Sequence, residues 1–135
     1  MEVEGGRIRG GRLLRGRAET LDIALARFRA DPATGQLGEL GLGTQVLPVA
    51  GADIQDEKIL GTLHVATGRS DHLGGHLTPD KFANAKNATH DDILFSPTKT
   101  PGVLVTQARM KRDGLTEVVI ENYQPSAYLR RLLAA

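Results

Sequence analysis

Apolar residues in this chain fall into short groups that glycine, proline and polar residues keep interrupting, and this punctuation restricts the chain to short elements. No apolar run reaches the roughly 18 residues that a membrane helix needs. Helical spacing is clear in two places. From Ala18 to Ala30, Leu21, Ala24, Leu25 and Phe28 recur at i, i+3, i+4 and i+7, and Asp31-Pro32 ends the pattern, which predicts an amphipathic helix packed into the core. Pro125 is expected to start a C-terminal helix burying Leu129, Leu132 and Leu133. A short third helix is expected over Ala52 to Leu60.

The remaining segments read as strands and turns. The first sixteen residues, with Gly5-Gly6 and Gly10-Gly11, favour a hairpin of short strands. Gly35 to Thr44 alternates glycine with leucine around a single charge, Glu39, which suggests backbone passing close to another group. Strands are expected at Gly61 to Thr67 and Thr89 to Phe95, and a hairpin joins Gly102 to Met110 with Leu115 to Glu121 around Arg112-Asp113-Gly114. Gly68 to Asn87 reads as a long polar loop with a helical turn after Pro79. The expected fold is α+β, a mostly antiparallel, barrel-like sheet with two or three helices, in a single domain over residues 1–135.

Composition narrows the function classes. Seventeen basic and sixteen acidic residues leave a net charge of +1, and two Tyr with three Phe make a poor base-stacking platform, so nucleic acid is not the expected partner. Arg7, Arg9, Arg12, Arg15 and Arg17 read as an edge strand facing water, with phosphate binding as the sharper alternative. The absence of cysteine excludes disulfides, thiolate metal sites and a cysteine nucleophile. With no signal-peptide core and no membrane span, the expected setting is cytoplasmic.

All four histidines, His64, His72, His76 and His90, lie within the stretch from His64 to His90. His90 and Asp92 are two apart on an expected strand, so both face one side and can reach one ion. Strands carrying Glu39, His64 and the His90/Asp92 pair would supply ligands from rigid elements, and His72 and His76 could orient ligands or carry protons. Each has a plainer reading: His64 as a hydrogen-bonded core histidine, Glu39 as a cap or arginine partner, the loop histidines as solvated.

Four segments taken in order, Gly38-Glu39-Leu40-Gly41-Leu42-Gly43-Thr44, Asp56-Glu57-Lys58-Ile59-Leu60-Gly61-Thr62-Leu63-His64-Val65-Ala66-Thr67-Gly68, Leu73-Gly74-Gly75 and His90-Asp91-Asp92, resemble the C-terminal part of the thermophilic metallo-aminopeptidases. That leucyl aminopeptidase (aminopeptidase T) family is related to dihydroxypyridine dioxygenases. The resemblance implies that Glu39, His64, His90 and Asp92 are metal ligands and that a metal-activated water attacks an amide. The chain departs from the family pattern at Gln45, Thr67 and the stretch from His76 to Asn87, and the resemblance implies an upstream glutamate ligand and an N-terminal domain that these 135 residues do not match.

The resulting expectation is a small metal-dependent enzyme that hydrolyses an amide or peptide-like small molecule, using a divalent transition metal (Zn, Co, Mn or Fe), with His72 or Asp71 in proton transfer. The alternatives are an iron-dependent oxidative enzyme acting on a small aromatic or chelating substrate, and a non-catalytic accessory subunit. A chain that exposes a former domain interface is also expected to form homo-oligomers or to bind a partner subunit.

Overall fold

The computed structural model describes residues 1–134. In chain order it contains β1 (Glu2–Glu4), β2 (Arg7–Gly10), α1 (Ala18–Ala30), β3 (Leu37–Leu42), α2 (Asp53–Asp56), β4 (Leu63–Gly68), β5 (His90–Phe95), β6 (Gln107–Arg112), β7 (Leu115–Glu121), β8 (Gln124–Pro125) and α3 (Ala127–Leu133). Helices and antiparallel sheets are both present, so the fold is α+β. The strands assemble into three sheets, β1-β2, β3-β4-β5 and β6-β7-β8, and among the described residues they close no barrel. The physical reason is visible between β2 and β3, where the ladder stops at one isolated bridge, Arg7 to Gln36. Among the described residues no helix is long and apolar enough to cross a membrane.

The backbone groups into two compact units, residues 1–40 with 65–92, and residues 41–64 with 93 onward. In the first unit, Gly5 and Gly6 take φ of 56° and 73°, the left-handed turn that closes the β1-β2 hairpin. The α1 helix occupies the span its apolar spacing predicts, with Glu19 in the first turn and Arg27 and Arg29 in the last, each complementing the helix dipole. Its apolar stripe is shallower than expected. Leu21, Ala24, Leu25 and Phe28 are half-buried and no helix residue is fully buried. Phe28 lies against Gly35, where a Cβ would come within 3.0 Å of the ring.

Apolar burial in this unit is sparse, with Ile8, Ala33, Ala66 and Phe82 at its centre, and buried polar groups take up part of the work. Asp31 is 3% exposed, and its Oδ2 accepts hydrogen bonds from the Ala83 N–H at 3.0 Å and the Asn87 Nδ2 at 2.9 Å. Burial pushes this carboxyl up, but hydrogen bonds from Asn87 and from the backbone at Ala83, Asn84 and Ala33 outweigh it and hold its pKa below 3.8. The long segment after β4 is therefore ordered. It is built from 3₁₀ turns at Asp71–Leu73, Pro79–Lys81 and Ala85–Asn87, the second of them following Pro79 as the sequence suggests.

The second unit centres on Leu94, Val119, Ile120, Tyr123 and Leu129. The β6-β7 hairpin turns at Asp113 (φ 50°) and Gly114 (φ 79°), but β6 starts at Gln107 instead of Gly102. Pro125 pairs with Ile120 in β8, so α3 begins later than expected, capped by Ser126 Oγ accepting from the Leu129 N–H at 3.1 Å. Leu129 is buried, whereas Leu132 and Leu133 stay exposed because the helix lays only one turn of apolar surface against its neighbours. The short helix foreseen over Ala52 to Leu60 shrinks to α2, with Asp56 accepting from the Ala50 and Gly51 N–H groups.

Because Asp31 is the buried acceptor that holds the segment ending at Asn87, Asp31→Ala should cost about 2 kcal/mol or more, as two hydrogen bonds to a charged group are lost. Amides between Ala83 and Asn87 should lose hydrogen-exchange protection first. Urea denaturation together with exchange measured by mass spectrometry would check both, and unchanged protection there would contradict the assignment.

Candidate metal centre

Glycines in β3 make room for what crosses them. A Cβ at Gly38 would lie 2.8 Å from the Gly68 carbonyl oxygen. This close passage is what the glycine alternation predicts, and it leaves Glu39 as the charged side chain that β3 contributes to the first unit. Strand β5 supplies the rest. Period-two geometry puts His90 and Asp92 on one face, while Asp91 faces the other way and binds Arg27 Nη2 of α1 at 2.6 Å. Arg27 also donates to Thr89 Oγ1 at 2.7 Å, fixing the start of β5.

The imidazole of His90 is the focus of the site. Its Nδ1 lies 2.6 Å from the Arg69 carbonyl oxygen, an acceptor only, so Nδ1 carries the hydrogen. Its Nε2 lies 3.0 Å from Glu39 Oε2 and 3.3 Å from Asp92 Oδ1. In the neutral ring Nε2 would then hold a lone pair pointed at two anionic oxygens, which is repulsive. Two species would resolve the conflict, an imidazolium donating to the carboxylates or a metal cation that Glu39, His90 and Asp92 would hold. Burial opposes the charged ring, but the Arg69 carbonyl and the carboxylates of Asp92 and Glu39 outweigh it and raise the His90 pKa above 6.5.

The surrounding loop shapes this corner. Arg69 forms a bidentate pair with Asp71, Nε to Oδ1 at 2.6 Å and Nη2 to Oδ2 at 3.0 Å, and the guanidinium's hydrogen bonds keep the Asp71 carboxyl below its usual 3.8. Ser70 is wrapped by the turn that follows: its carbonyl accepts from Leu73 and Gly75, and its Oγ accepts from the Leu77 N–H at 3.3 Å. Gly75 has to be glycine here, since a Cβ would meet Ser70 Oγ at 2.2 Å. The turn brings His72, exposed to solvent, edge-on to His90, with ring centroids 4.7 Å apart.

Of the residues that the sequence singles out, Glu39, His90 and Asp92 come together in the first unit, with His72 beside them. Asp71 is engaged by Arg69 and stays ionised at neutral pH. His76 lies on the wall of a separate cleft. His64 belongs to the second unit, where it is 7% exposed and its ring covers Gly41, at which a Cβ would come within 1.9 Å of it. The Arg69 carbonyl and the Arg27 clamp were not read from the sequence. A backbone acceptor leaves no trace in residue identity, and the period-two alternation that puts Asp91 opposite His90 was the available hint for Arg27. No family model, curated protein or solved structure matches the chain.

In metal-free protein the raised His90 pKa makes the imidazolium stabilising. That contribution is full below the unfolded value near 6.5 and is lost as pH rises through the folded value. Urea midpoints taken in chelator should fall over this window for the native chain and show a flatter profile for His90→Asn. Equal pH profiles would mean that the ring does not titrate between the two carboxylates.

Proposed function

We propose that this chain is a metal-dependent enzyme of the kind its sequence resembles, in which Glu39, His90 and Asp92 bind a divalent transition metal. The carrying observation is the His90 ring, anchored through Nδ1 on a backbone carbonyl while Nε2 faces two carboxylate oxygens at 3.0 and 3.3 Å. A metal-binding histidine typically has its second nitrogen fixed in this way. The mixed nitrogen and oxygen donors suit zinc, cobalt, manganese or iron. The sequence resemblance adds His64 as a further ligand.

When bound, such an ion supplies Lewis-acid activation of a carbonyl and of water at neutral pH. The chain's own residues set the conditions for amide hydrolysis. The Arg69 carbonyl fixes the His90 tautomer, and Glu39 and Asp92 concentrate negative charge beside Nε2, where these residues would hold a cation. His72, solvent-exposed and edge-on to His90, is placed to carry a proton between the site and bulk water. Asp71 serves as the anchor of Arg69 in this reading, and proton transfer falls to His72. The proposed substrate is an amide or peptide-like small molecule. A further copy or a partner subunit is proposed to cover Val46 and Ile54 of the second unit, exposed at 88% and 68%.

Plasma mass spectrometry on untagged protein should find about one transition-metal ion per chain, absent from a His90→Ala/Asp92→Ala variant. Because binding displaces the Nε2 proton, affinity should rise about tenfold per pH unit below the folded His90 pKa. Metal-loaded protein should hydrolyse amino-acid amides or short peptides, and His90→Ala should lower that rate on the order of 100-fold or more. Iron in place of zinc, cobalt or manganese would direct the assay to oxygen consumption. Full metal content in the double variant would overturn the ligand assignment, and bound metal without turnover would leave the accessory-subunit reading.

A further inference from the structure

The centre leaves the basic N-terminal strand and His76 without a role, and both border a second feature of the first unit. A cleft of about 580 Å³ opens between the Pro32-Ala33 turn and the segment from His76 to Ala83. Its walls are mainly carbon, from Ala33, Leu77 and the buried Phe82, and this volume lies within the range of small-molecule sites.

The polar groups at its edge are unequal in sign. Arg7 and Lys81 contribute cations, and His76 adds an exposed imidazole. Arg7 uses only its Nε, in a long 3.4 Å contact to Gln36 Oε1, among the described residues. Lys81 pairs with Asp80 at 3.3 Å, but both side chains are well exposed, so solvent screens that pair and leaves the ammonium able to reorient. The acid in the lining is Asp31, whose Oδ2 is already committed to Ala83 and Asn87. A separate, smaller recess of about 180 Å³ shares Arg7 and Pro32 with the cleft and is lined by Arg29 and by Arg9, which pairs with Glu4 at 3.6 Å. Two cations therefore border an apolar hollow, and the one carboxylate in its lining, Asp31, is buried and turned to donors of its own segment.

We propose that this cleft binds a small monoanion with an aliphatic or aromatic body, a carboxylate in chemical class. Its apolar part lies against Leu77 and Phe82, and its charge meets Arg7 and Lys81. A cationic ligand would face like charges, and a small fully hydrated anion would leave the apolar wall uncovered. The site stands apart from the metal centre in its residues and does not depend on a metal being bound.

The test is a titration of ¹⁵N-labelled protein with hexanoate and phenylacetate, with acetate and hexylamine as controls for body and charge. Hexanoate or phenylacetate should bind with a Kd on the order of 1 mM or tighter, shifting the amides of Leu77, Phe82 and Ala83, and both controls should bind at least about tenfold more weakly. Lys81 and Ala83 are exposed, so Lys81→Gln and Ala83→Phe should fold normally. The first should weaken hexanoate several-fold, and the second should fill the hollow and abolish binding. The His90→Ala/Asp92→Ala variant should bind hexanoate as the native chain does. Absence of binding, equal binding of hexylamine, affinity unchanged in Ala83→Phe, or binding lost in the His90/Asp92 variant would each overturn the proposal.

Discussion

A single buried carboxylate organises the first unit. Asp31 ends α1, with its N–H on the Arg27 carbonyl at 2.9 Å, and its side chain receives the Ala83 N–H and the Asn87 amide, more than fifty residues away in the chain. A unit with so few buried apolar side chains has little dispersion energy to fix a long segment. A charge that has lost its water is far more demanding, because leaving it without donors costs several kcal/mol. The segment from Arg69 to Asn87 is thus held at its far end by electrostatics and at its near end by Ser70, with the turn carrying His72 between them.

That framework explains how one unit can present two chemically different sites. Near Arg69, short side chains and a backbone carbonyl bring two carboxylates onto one imidazole nitrogen. Near Lys81, the same segment presents carbon surface rimmed by cations. The proposed metal site sets two carboxylates on one imidazole, and the proposed anion site sets Arg7 and Lys81 at the edge of an apolar wall. The Arg69–Asp71 pair cancels its own charge within the segment and adds little to either field.

Much of this was legible in the residues. The helix from Ala18 to Ala30 follows from its apolar spacing, and the Asp113-Gly114 turn from the left-handed backbone that glycine permits. The same holds for His90 and Asp92 sharing a face and for glycines marking close passage in β3. What the sequence misjudged concerns long-range closure and depth of burial. Short strands alternating with turns suggest a barrel, but whether sheets join depends on ladder hydrogen bonds that residue patterns do not encode, and among the described residues β2 meets the start of β3 through an isolated bridge, Arg7 to Gln36. Leu132 and Leu133 have the right spacing for burial, yet spacing does not reveal how little surface a single turn finds to cover it.

The hydrogen bond from His90 to the Arg69 carbonyl has an evolutionary side. An acceptor supplied by the main chain has no side-chain identity, so residue 69 can drift among many amino acids while the imidazole keeps the same tautomer. The orientation of the site is thereby insulated from most single-codon changes at that position. Its vulnerability lies in backbone course, at glycines such as Gly68, whose φ of 89° and 2.3 Å Cβ clearance from the Thr89 carbonyl set the path of the chain into Arg69. A survey that scanned side chains alone would find residue 69 dispensable for holding the ring and residue 68 intolerant, although it is residue 69 that holds the ring.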